Sequence, residues 1–68
     1  MQITELIQSA IDQLGSEAKL GAATGFSQHA IWSAKKKGRV SAEMAAAIDR
    51  ATDGKVAKHD LRPDLFQA

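Results

Sequence analysis

The stretch GSEAKLGAATGFSQHAIWSAKKKG, residues 15–38, holds two short helical segments separated and closed by glycines. Gly15 supplies a left-handed stop, and Ser16 offers an oxygen to cap the segment that follows. Glu17 falls in its first turn, where the helix dipole favours a negative charge. These signals predict a helix over Glu17 to about Thr24. Thr24-Gly25-Phe26 then breaks the pattern, because Gly25 can take a positive φ that is costly for any residue with a Cβ. Ser27 is a good cap for a further helix running to about Lys37, and Gly38 ends it after three lysines that suit its negative dipole end. A helix-turn-helix needs a small residue where its helices cross closely, a glycine in the turn about four residues later, and apolar residues inside the second helix. Gly21, Gly25, Phe26, Ile31 and Ala34 occupy those places.

Working outward, Ile3, Leu6, Ile7, Ala10, Ile11 and Leu14 share one face at helical spacing, with Glu5, Gln8, Asp12 and Gln13 opposite. They predict a first helix from about Thr4 to Leu14. On the other side, Ser41 caps a helix whose Met44, Ala47, Ile48 and Ala51 form an apolar stripe, closing at Thr52-Asp53-Gly54. The segment Lys55 to Ala68 contains Pro63, which forbids a long regular helix. It reads as an extended link, one helical turn near Lys58 to Leu61, and a docked tail. His59-Asp60 reads as structural, since neighbouring side chains on a helical turn are expected to point apart. The whole is an all-α chain of four to five helices, organised as one domain over residues 1–68.

At 68 residues the chain can bury one modest core. It has no cysteine, and its two histidines lack paired spacing, so neither a disulfide framework nor a metal site is expected. No cofactor is implied, and the chain offers no cleft of convergent titratable groups for an enzyme. No apolar run approaches the roughly 20 residues needed to span a bilayer, and no secretory segment precedes the first helix. The expectation is a soluble, cytoplasmic protein with no membrane partner.

Charge distribution narrows the function. The net charge is +1, yet between Glu17 and Glu43 there is no acidic residue, only Lys19, Lys35, Lys36, Lys37 and Arg39. That basic window coincides with the two tandem helices. With Ile31 at the centre of the buried side of the second of these, Ser27 and Ala34 share its face. His29, Trp32, Ser33 and Lys36 project the other way, and Gln28 lies on the flank. Gln pairs with adenine, Lys or His donates to guanine, and Ser serves either, so this face matches base edges in a major groove. The expected base-reading residues are Ser27, Gln28, His29, Trp32 and Ser33. Ser16, at the free amides of its helix, and Lys19, Lys35, Lys36, Lys37 and Arg39 are expected on phosphates. Such a protein would lie on the nucleoid when bound to double-stranded DNA. One small domain buries too little surface for useful specificity, so a homodimer is expected. Val56, Leu61, Leu65 and Phe66 are its interface candidates, since they exceed what a small core obviously needs.

At this point the chain resembles the small Cro-like phage repressors and the related YdaS-type antitoxins, both built on a repressor-like helix-turn-helix. The resemblance rests on GSEAKLGAATGFSQHAI (15–31), GRVSAEMAAAI (38–48) and GKVAKHDLRPDLF (54–66). It implies a small repressor-like helix-turn-helix domain with a short docked C-terminal tail, the motif at about 16–37 and the tail at 55–68. It also implies operator binding as a dimer and repression of a promoter. The antitoxin branch implies a second role, neutralising a toxin partner while regulating its own operon. The family commonly has alanine or another small helix former at 21, leucine at 24, a polar residue such as serine at 32 and tryptophan at 34. Here Gly21, Thr24, Trp32 and Ala34 stand instead. Gly for Ala inside a helix is expected to cost about 0.5 to 1 kcal/mol. Trp32 either packs on the domain, the commoner fate of a lone tryptophan, or faces the duplex.

Overall fold

Three serines start three of the helices. The computed structural model describes residues 2–67, in the order α1 (Ile3–Leu14), α2 (Glu17–Thr24), α3 (Gln28–Lys37), α4 (Ala42–Ala51) and α5 (Lys58–Leu61). Ser16 Oγ accepts from the Lys19 N–H, Ser27 Oγ from Ala30 and Ser41 Oγ from Met44, each at 3.1 Å. Each bond satisfies one of the amide donors that a helix start leaves free. At the other end of α2, the N–H groups of Gly25 and Phe26 both donate to the Gly21 carbonyl, at 2.9 and 3.0 Å. That double closure requires the positive φ of 80° at Gly25.

α4 ends without a glycine at its cap, and a threonine does the work instead. The buried Thr52 hydroxyl donates to the Ile48 carbonyl at 2.9 Å and accepts the Val56 N–H at 3.1 Å. The chain therefore turns back at once. Asp49 Oδ2 then accepts the Lys58 N–H at 2.9 Å and caps α5 from a helix away.

The core lies between all five helices. α1 contributes Leu6, Ile7, Ala10 and Ile11, α2 Leu20, α3 Ile31 and Ala34, and α4 Met44, Ala45 and Ile48. Val40, Val56 and Leu61 complete it. Two interface candidates are thereby corrected, because Val56 and Leu61 are only 1% and 2% exposed and belong to this core. The link after α4 folds back and lays α5 across α4 and α1, which consumes their apolar surface. Phe66 packs partly buried against the same core, with the Lys58 ammonium 5.1 Å from its ring centre, while Leu65 is left exposed.

The tail is fastened by Arg62. One guanidinium nitrogen donates to the Val40 carbonyl at 2.9 Å, and two others grip Asp64, at 3.0 Å to Oδ1 and 2.7 Å to Oδ2. The hydrogen bonds from Arg62 hold the Asp64 carboxyl below its usual range, and the same pairing raises Arg62. The His59 and Asp60 side chains do not point apart as expected. His59 Nε2 lies 3.6 Å from Asp60 Oδ1 at the surface.

Gly21 decides how closely α3 approaches α2. A Cβ at this position would stand 2.6 Å from the Phe26 carbonyl oxygen and 3.3 Å from the Gln28 nitrogen. The turn and the first residue of α3 thus pass directly over the glycine. Thr24, where an apolar residue was the family pattern, is buried, and its hydroxyl donates to the Leu20 carbonyl at 2.9 Å, so burial leaves nothing unpaired.

Candidate nucleic-acid interface

α3 is anchored along one side and bare along the other. Ile31 and Ala34 face the core. At its C-terminal end, the Thr4 hydroxyl of α1 donates to the Lys35 carbonyl at 2.9 Å. The Lys35 ammonium reaches back to Glu17 Oε2 and to Gln8 Oε1, both at 3.1 Å. In the free chain Lys35, expected on a phosphate, is thus paired with protein groups. Its side chain is half-buried and bridges α3 to α2 and α1, so its charge is paired within the chain. Sequence reasoning missed this bridge, since no helical spacing links residues on three different helices.

The bare side carries Gln28, His29, Trp32, Lys36 and Lys37, all exposed, with Ser33 half-buried beside them. Trp32 is not part of the core, and at 44% exposure it stands among the largest exposed apolar side chains. Its indole stacks on the His29 ring, with centres 5.6 Å apart and planes at 27°. The Lys36 ammonium lies 5.7 Å from the centre of the Trp32 ring, within the range of a cation–π contact. The i−3 and i+4 spacing of these neighbours on one helix makes the stack possible.

Two shallow grooves flank this face. One, of about 480 Å³, runs along α3 from His29 to the link before α4, with His29, Ser33, Lys37, Arg39 and Ser41 among its polar lining. The other, of about 260 Å³, is bounded by Glu17, Gln28, His29 and Trp32. Glu17 brings a carboxylate to the rim of an otherwise basic face, and Lys35 neutralises it.

The remaining expected residues are distributed less tightly. Ser27 is exposed at the N-terminus of α3, its oxygen spent as a cap but its hydroxyl hydrogen free to turn outward. Ser16 plays the same capping part for α2 and is half-buried. The exposed Lys19 folds its stem over Gly15, whose Cβ position would lie 3.2 Å from Lys19 Cδ. Arg39 is exposed just beyond α3. The structure thus brings Gln28, His29, Trp32, Ser33, Lys36 and Lys37 onto one face, with Arg39 at its end and Lys19 and Ser16 on the neighbouring helix.

Among the described residues there is no group of three or more histidine and acidic side chains that could hold a metal ion. No described helix is long and apolar enough to cross a membrane. The bare side of α3 offers hydrogen-bonding groups and positive charge.

A family model described as bacterial toxin YdaS matches residues 7–68. Among solved structures, the Cro protein from the prophage element Xfaso 1 of Xylella fastidiosa strain Ann-1 is 41% identical. The match covers 100% of each chain with a TM-score of 0.84. No curated protein matches.

Proposed function

The chain belongs to the YdaS family and has the fold of a prophage Cro protein, and from that premise we propose that it is a sequence-specific regulator of transcription that binds double-stranded DNA. The observation that carries the reading is the outward face of α3, with Gln28, His29, Trp32, Ser33 and Lys36 bare on a helix whose other side is fixed to the core. In this reading residues 1–68 form one DNA-binding domain, with the helix-turn-helix at about 16–37. α3 enters the major groove and reads a half-site of a few base pairs. Ser27 adds a donor at its start. Lys36, Lys37, Arg39 and Lys19 neutralise phosphates, and the free amides at the Ser16 end of α2 fix the docking angle. Affinity then falls with salt at a slope of about −0.9 for each phosphate neutralised.

Specificity against a genome of competing sites calls for two half-sites about 34 Å apart, bound by a symmetric dimer. With Val56 and Leu61 committed to the core, Leu65 and the outer edge of Phe66 are the apolar side chains the tail leaves for a second copy. Repression of a promoter, as a Cro-like protein in the cytoplasm on the nucleoid, is the biological role that fits.

The family description, which names a toxin, is compatible with a second reading. In it the chain acts chiefly through a protein partner of a toxin–antitoxin type, with autoregulation secondary. Selection of binding sites from a random duplex pool at moderate salt separates the two. An enriched inverted repeat with half-sites one helical turn apart is the expected result. Salt-sensitive binding without enrichment would refute operator reading and move the partner reading ahead.

A further inference from the structure

The outward face of α3 is polar or charged at every position but one. Trp32 exposes a large apolar ring there, outside the core, where a free surface has no use for it. Its position is set in advance, because the His29 ring stacks against it and the Lys36 ammonium sits over it. Beside the indole lies the groove that it shares with Gln28, His29 and Glu17.

On a duplex, the base edges of the major groove present one apolar group, the C5-methyl of thymine. Phosphates are answered by cations, and those lie towards the C-terminal end of α3 and beyond it, at Lys36, Lys37 and Arg39, and on α2 at Lys19. A flat indole fixed in the middle of the reading face suits a methyl. Gln28, lining the same groove one turn earlier, suits the paired N6 and N7 of an adenine. Resting on the DNA-binding reading above, we infer that Trp32 is a specificity-determining residue that recognises the C5-methyl of a thymine close to the adenine read by Gln28.

Covering one methyl group is worth about 0.8 kcal/mol, or roughly a fourfold change in affinity for each half-site. The test uses the duplex recovered by selection, with each thymidine replaced in turn by deoxyuridine. That change removes the methyl and keeps every hydrogen-bonding group. Binding is measured by fluorescence anisotropy at fixed salt for the native chain, Trp32→Phe and Trp32→Ala. One thymidine in each half-site is expected to lose about fourfold on replacement with the native chain and with Trp32→Phe. The loss is expected to vanish with Trp32→Ala, whose fold is checked by its melting curve. A selected half-site without a fixed thymine overturns the inference, as does a flat deoxyuridine scan or a loss that Trp32→Ala retains. Absence of any salt-sensitive duplex binding would instead defeat the DNA-binding reading itself.

Discussion

Replacing Gly21 by alanine sets local propensity against tertiary packing. Alanine is favoured over glycine inside a helix by about 1 kcal/mol, so propensity alone has Gly21→Ala stabilising the chain. The added Cβ, however, would lie 2.6 Å from the Phe26 carbonyl oxygen, and real Cβ atoms keep at least 3.0 Å. The turn and the start of α3 must therefore retreat by at least 0.4 Å, against backbone atoms that cannot rotate aside like a side chain. Overpacking of this kind costs about 1 to 3 kcal/mol. Set against the propensity gain, it leaves a net loss of up to about 2 kcal/mol. For a domain of this length 1 kcal/mol moves Tm by about 4 to 8 °C. Urea and thermal unfolding followed by circular dichroism should show the variant less stable. Duplex affinity should fall beyond what stability explains, because α3 itself is displaced. A rise in Tm by the amount that propensity predicts would refute the reasoning and show that the crossing of α2 and α3 relaxes freely.

Other substitutions separate roles on the same surface. Lys37→Ala should weaken binding to all duplexes alike and reduce the salt slope by about one unit; a loss confined to one sequence would make it a base contact. Lys35→Met should leave the salt slope unchanged while costing roughly 1 kcal/mol of stability, because the change strands Glu17 and Gln8 and not a phosphate. A slope lower by a unit would return Lys35 to the DNA. Asp64 has its folded pKa depressed by Arg62, so its contribution to stability is present above the ordinary aspartate pKa of about 4 and is lost as pH falls through the folded value. Asp64→Asn should therefore flatten the acid limb of the stability curve below about pH 4, with no change at neutral pH beyond the lost ion pair; superimposable curves would count against the clamp.

What the sequence made legible was local. The bounds expected for α2, the turn at Lys58–Leu61 and the caps at Ser16, Ser27 and Ser41 match the structure, because each depends on residues within a turn of one another. The failures were of long range. Val56 and Leu61 looked surplus to a small core because nothing in their neighbourhood announces that the tail folds back. The bonds that fold it span 9 residues, from Asp49 to Lys58, and 22 residues, from Val40 to Arg62. Lys35 looked like its neighbours Lys36 and Lys37, and only the meeting of three helices draws it inward. The bare face of α3 was legible since the 100° step from Ile31 fixes which side chains lie opposite, but that step put Ser27 on the buried side, whereas as an extended cap outside the helix it is exposed. The stacking of Trp32 on His29 was not, as helical spacing permits contact between rings without requiring it.

The Arg62 bond to Val40 has a mechanical consequence. It ties the tail to the backbone next to Arg39, so that a planar guanidinium joins the segment bearing Leu65 to the strand of chain leaving α3. Pulling the tail away cannot be a private event of the C-terminus. It must break that bond or carry the α3–α4 connection with it. The bond couples the two segments, and amide exchange in the α3–α4 connection should quicken when Arg62 is replaced.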